Sequence, residues 1–215
     1  MISRAIVLLF VAPALAGAQG AATEPGANRA NRLSERARQD REIVYFLQQP
    51  ETNSFDLYHD YTESRPGVDK YVNVVRAGSR ASNPSAVILD TGEKLKIETL
   101  RGNEITAAGV DIREPVTAQS EIVLVRFAPV KQGQSVRLRI TETYTDPNRY
   151  KVVGDELISD RAFGRPANAM VLPAGWYLTK SSIPATVHLH EDGRVVLDFL
   201  NPRNDNVEVL VTAKR

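Results

Sequence analysis

The chain has 215 residues, 42% of them hydrophobic and 25% charged, a composition of a globular chain long enough to bury a core. Its 27 basic and 26 acidic residues leave a formal charge of +1, which argues against nucleic acid as the main partner and against strong attachment to anionic lipid. Cysteine is absent, so disulfides, thiolate chemistry and lipid attachment at a cysteine are excluded.

Met1 to Ala18 has the layout of a secretory signal. Arg4 supplies a positive charge, Ala5 to Leu15 is an apolar run broken by Pro13, and Ala16-Gly17-Ala18 offers small residues for cleavage after Ala18. The run is too short to span a bilayer, and no later run approaches that length. Residues 19–42 read as a polar arm. Gln19 to Asn31 is small and Gly/Pro-bearing, and Arg32 to Glu42 is an arginine-rich stretch with material for a short, marginal helix. Cleavage leaves 26 basic against 26 acidic residues, and a soluble protein that is secreted or periplasmic.

From Ile43 onward the period becomes two. Phe55, Leu57, His59 and Tyr61 alternate with Asp56, Tyr58 and Asp60, and Pro66-Gly67 breaks the chain before Tyr71 to Val75. Thr91-Gly92 is expected to turn a hairpin between two apolar runs, and Glu121 to Phe127 reads as a strand covered on both faces. Along Ser135 to Thr145, Val136, Leu138, Ile140 and Tyr144 share a face. Glu142 falls on that face as its one exception, close enough to the strand's end for its carboxylate to reach water. Gly154-Asp155, glycine first, suits a type II′ turn. Ser159 to Ala169 lacks a period and reads as a long loop, and Val207, Val209, Val211 and Ala213 keep register at the end. About a dozen short strands with no clear helix predict an all-β fold, an Ig-like or jelly-roll-like antiparallel sandwich forming one domain over residues 43–215.

Two constellations suggest chemistry. His188 and His190 point the same way on a strand, as two ligands of a metal would. A two-residue turn at Asp192-Gly193 would mix apolar and polar groups on both faces. A three-residue loop, Glu191-Asp192-Gly193, instead pairs Leu189 with Val195 and Val187 with Leu197 on one apolar face. It leaves the histidines on the other, with Arg194 beside His190 and Asp198 diagonal to His188, so the pair reads as solvent-facing and not as a metal site. The second constellation is Arg161, Phe163 and Arg165, followed by Trp176 and Tyr177. The arginines could meet a ligand and the aromatics could stack on a sugar. Against this, Trp176 could plug the sandwich edge while the arginines pair with Asp155 or Asp160.

His59 reads as a hydrogen-bonded core histidine. Asn201 to Asn206 and Asp146 to Tyr150 read as turns, lacking the spacing of a calcium loop. No serine stands in a nucleophile-elbow setting. The sequence therefore predicts an exported, non-enzymatic binding or accessory module of the envelope, with a protein or glycan partner and with no catalytic, cofactor or metal residues assigned. Its rivals are a carbohydrate-binding module on Trp176 and Tyr177 and a metal-dependent enzyme on His188 and His190.

Overall fold

The computed structural model describes residues 41–112, 114–203 and 205–215. The signal at 1–18 and the arm as far as residue 40 lie outside the described residues. Arg41 and Glu42, expected to end the arm, open the first strand instead, because their backbone pairs with Tyr61 and Asp60.

Fourteen strands follow in chain order, and the fold is all-β as expected: β1 (Arg41–Leu47), β2 (Ser54–Glu63), β3 (Lys70–Val75), β4 (Arg80–Ile88), β5 (Lys96–Arg101), β6 (Glu121–Arg126) and β7 (Val136–Thr145). The second half adds β8 (Tyr150–Val153), β9 (Glu156–Phe163), β10 (Ala167–Val171), β11 (Tyr177–Ser181), β12 (Thr186–Leu189), β13 (Val195–Leu200) and β14 (Val207–Lys214). They form a seven-stranded sheet, β12-β13-β10-β1-β2-β7-β4, a four-stranded sheet, β11-β14-β9-β8, and a three-stranded sheet, β3-β6-β5. Neighbours run antiparallel except β1 and β10, which are parallel.

The period of two explains how these sheets stack. In β2 the residues Phe55, Leu57, His59 and Tyr61 point to one side, opposite Tyr144, Glu142, Ile140 and Leu138 of β7. At the Phe55 end this face packs with β1, β10 and β13 against the four-stranded sheet, burying Leu157, Val209, Val211, Leu172 and Leu197 completely. At the Tyr61 end the same face packs against the three-stranded sheet, through Leu138, Phe127, Ile140 and Val125. The long sheet is thus one wall shared by two shorter sheets, and a seam runs between them. Each fully buried leucine or valine contributes about 1.5–3 kcal/mol, which lets a chain without disulfides hold its shape. Strand β6, central in its sheet, is covered on both faces. Its outer side carries Ile122 and Leu124 under a five-residue helix, α1 (Asn103–Ala107), that the period gave no sign of.

Several local expectations hold. Val153 pairs with Glu156 around Gly154-Asp155, and of the two only Gly154 has positive φ, as a type II′ turn requires. Leu189 pairs with Val195 and His188 with Val196 around Glu191-Asp192-Gly193, with Gly193 at φ 84°. Others are corrected. The turn at Thr91-Gly92 forms, but β4 and β5 then part into different sheets, joined only by a bridge from Val87 to Lys94. Ser159 to Ala169 is no long loop: β9 runs to Phe163 and β10 begins at Ala167, because pairing with β14 and β1 gives both segments partners. On the edge strand β12, Val187 and Leu189 sit on the expected face but stay exposed, since among the described residues no strand lies beyond them.

Candidate functional site

The seam between the two short sheets holds a cavity of about 180 Å³. Strands β2 and β7 of the shared wall bring His59, Glu142 and Tyr144 to it. Strand β3 brings Tyr71 and Asn73, β9 brings Arg161, the β9–β10 connection brings Arg165, and the β7–β8 turn brings Asp146. Tyr45, Phe55 and Leu57 form its apolar side.

Glu142 is 2% exposed on a face otherwise made of Leu138, Ile140 and Tyr144. The Asn73 amide Nδ2 donates to Glu142 Oε2 at 2.7 Å and to the Tyr144 hydroxyl at 3.0 Å. Glu142 Oε1 is buried with no hydrogen bond among the described residues. Burial pushes this carboxyl up to about 7, against the opposing pull of the Asn73 bond and the Arg165 charge. Its expected reach to water is therefore corrected: the three-stranded sheet closes over it. Burial likewise raises the Tyr144 phenol, helped by the Glu142 charge.

A second group surrounds His59. The Arg165 guanidinium donates from Nε to His59 Nε2 at 2.9 Å and from Nη2 to the Tyr71 hydroxyl at 3.1 Å, and Tyr71 lies 3.0 Å from His59 Nδ1. Burial, then Arg165 and Arg41, hold the His59 imidazole well below its usual range, so it is neutral. Since Nε2 accepts from Arg165, the imidazole proton sits on Nδ1 and goes to the Tyr71 oxygen. That oxygen accepts twice, which leaves the Tyr71 hydroxyl proton available as a donor. The reading of His59 as a hydrogen-bonded core histidine stands, with a partner set the sequence did not reveal.

Arg161 is 8% exposed. Its Nη1 donates to Asp146 Oδ2 at 3.1 Å, and its guanidinium carbon lies 3.9 Å from the centre of the Phe55 ring. Nε and Nη2 are buried without a hydrogen-bond acceptor among the described residues. The arginines therefore do not pair with Asp155 or Asp160 as the sequence suggested; Arg161 and Arg165 both turn into the seam. Phe163, grouped with them in the sequence, is 1% exposed in the core.

The other constellations do not assemble. Trp176 is 4% exposed, donates from its indole nitrogen to Gln49 Oε1 at 3.1 Å and lies under Arg215, while Tyr177 is 65% exposed on the next residue. They form no shared platform. His188 sits 3.2 Å from Asp198 and His190 3.0 Å from Asp192, which also binds Arg194 at 2.8 Å. The two imidazoles thus have separate carboxylate partners.

No protein-family model and no curated protein sequence matches this chain. Among solved structures it is similar to a mutant of an M1 zinc metallopeptidase from Deinococcus radiodurans. The identity is 12% and the TM-score 0.48, over 81% of this chain and 41% of that one. The same mutant bound to a Tyr-Ser-Ala substrate gives 13% and 0.47. An aminopeptidase N family protein from Idiomarina loihiensis gives 6% and 0.45, over 80% of this chain and 29% of that one. The chain thus spans about two-fifths or less of the length of these proteins. The expectation of a non-enzymatic module is corrected on this finding, since the similar structures are peptidases. At such identity no residue here inherits a role from them. The donor set also does not fit zinc: among the described residues no three His, Cys, Asp or Glu side chains converge, and the helical H-E-x-x-H pattern is absent from the sequence.

Proposed function

We propose that the seam cavity is a catalytic pocket in which Glu142 transfers protons in the hydrolysis of a small ester or amide. The observation that supports this is the Glu142 carboxyl itself: buried in the lining of the cavity, held through one oxygen by Asn73, with its other oxygen without a hydrogen-bond partner among the described residues. A carboxyl titrating at about 7 is populated in both forms at neutral pH, as general acid–base catalysis requires. The carboxylate takes a proton from water as its oxygen attacks the carbonyl, and the acid so formed returns it to the leaving group. The Tyr71 hydroxyl and the Arg165 guanidinium supply donors for the charge that develops on the carbonyl oxygen. A small substrate replaces the protein or glycan partner expected from the sequence.

The test is turnover of p-nitrophenyl esters and amino-acid p-nitroanilides, followed against pH. The expected profile has a limb near pH 7 in kcat/KM, and Glu142→Gln lowers kcat by about 100-fold or more. Equal rates in the variant, or no turnover by the wild type, overturn the proposal. The proposal extends to export, with cleavage after Ala18, and to one folding unit over residues 43–215. N-terminal sequencing of protein recovered outside the cytoplasm tests the first, and a single unfolding transition of that fragment tests the second.

A further inference from the structure

We infer that the molecule held in the seam carries a carboxylate, gripped by the Nε/Nη2 edge of Arg161. The inference rests on the seam being the reaction site and names the group by which a substrate binds there. Nε and Nη2 lie on one edge of the guanidinium plane, so their two N–H groups run parallel and match the two oxygens of a carboxylate. Both are buried without an acceptor among the described residues, in a side chain that lines the cavity and is more than nine-tenths buried. The edge is also pinned: Asp146 holds Nη1 at 3.1 Å and the Phe55 ring supports the plane from 3.9 Å. A guanidinium so fixed loses little freedom when a carboxylate arrives.

The surroundings select among anions. Asp146 already neutralises part of the Arg161 charge, and Glu142 adds negative charge as it ionises, so a monoanion fits better than a phosphate dianion. Tyr45, Phe55 and Tyr144 line the same cavity, with Phe55 and Tyr144 stacked at 5.8 Å between ring centres. They give the cavity an apolar side, which favours a compact carboxylic acid with an apolar body.

The probes are benzoate, its neutral isostere benzamide, and inorganic phosphate, titrated by calorimetry into the full chain at pH 7. Benzoate is expected to bind, and benzamide about tenfold or more weakly, because the amide cannot satisfy both N–H groups. Arg161→Lys, which keeps the charge and loses the edge, is expected to weaken benzoate about tenfold. Glu142→Gln is expected to bind benzoate at least as tightly as the wild type, having lost a like charge. Equal binding of benzamide, tighter binding of phosphate, or no saturation by benzoate up to about 20 mM overturns the inference. If Arg161→Lys does not fold, the benzoate and benzamide comparison on the wild type decides. Benzoate binding that depends on Arg161, in a protein whose turnover ignores Glu142→Gln, would sink the catalytic reading and leave this one standing.

Discussion

Replacing Glu142 by glutamine probes the electrostatics of the seam through stability alone, without knowledge of any substrate. In the unfolded chain this carboxyl titrates near 4.5, and in the folded protein burial moves it to about 7. Between those values the native state binds the extra proton, so the group favours folding most fully below about pH 4.5. That advantage is lost as pH rises through 7. At about 1.4 kcal/mol per pH unit, the whole interval is worth about 3 kcal/mol. Glutamine keeps an oxygen for the Asn73 amide and cannot ionise. The variant should match the wild type near pH 4 and exceed its stability by up to about 3 kcal/mol at pH 8.5, measured by urea unfolding across the range with an unchanged slope. His59 acts the other way, because a buried neutral imidazole weakens folding as pH falls below about 6.5, but that contribution is common to both proteins and cancels. A difference between the two proteins that stays flat from pH 4 to 8.5 would refute the argument.

Glu63 has the opposite sign. Its side chain is fully buried between Tyr61, which donates to it, and Arg65, and it titrates at about 2. Glu63→Gln should cost about 2 kcal/mol at pH 7, discounted for the part-exposed Arg65, and the cost should fade as pH falls from about 4.5 towards 2 in acid-unfolding curves. Gly193→Ala meets no atom of the described residues within 4 Å, so its penalty is that of positive φ: about 1 kcal/mol, read as a lower urea midpoint. Trp176 emission should resist quenching by acrylamide and ignore added oligosaccharides, with native quenching as strong as in urea counting against its burial.

The hairpin that carries His188 and His190 was legible to the residue, because only one register separates its apolar and polar faces. The seam was only half legible. Glu142 broke the alternation of β7 openly, yet its burial depends on β3, more than sixty residues earlier in the chain, folding over it. Arg161 gave a weaker sign: it shares a face with Leu157 and Phe163, but Ser159 and the intervening Ile158 blur the alternation. Which acid each arginine meets was beyond reach, since Asp146, not the nearby Asp155 or Asp160, is brought to Arg161 by the tertiary fold. The exposed Val187 and Leu189 show the converse limit, where a pattern names a face but not whether anything covers it.

The parallel pairing of β1 with β10 has a consequence for how the chain reaches this state. During synthesis β1 finds β2 almost at once, yet its other edge waits about 125 residues for β10. Until then a strand destined for the middle of the largest sheet presents an open row of amides and carbonyls. Closure of that sheet is a late, long-range event, so folding should take milliseconds to seconds, and a nascent chain truncated before Ala167 should be prone to pair with its neighbours.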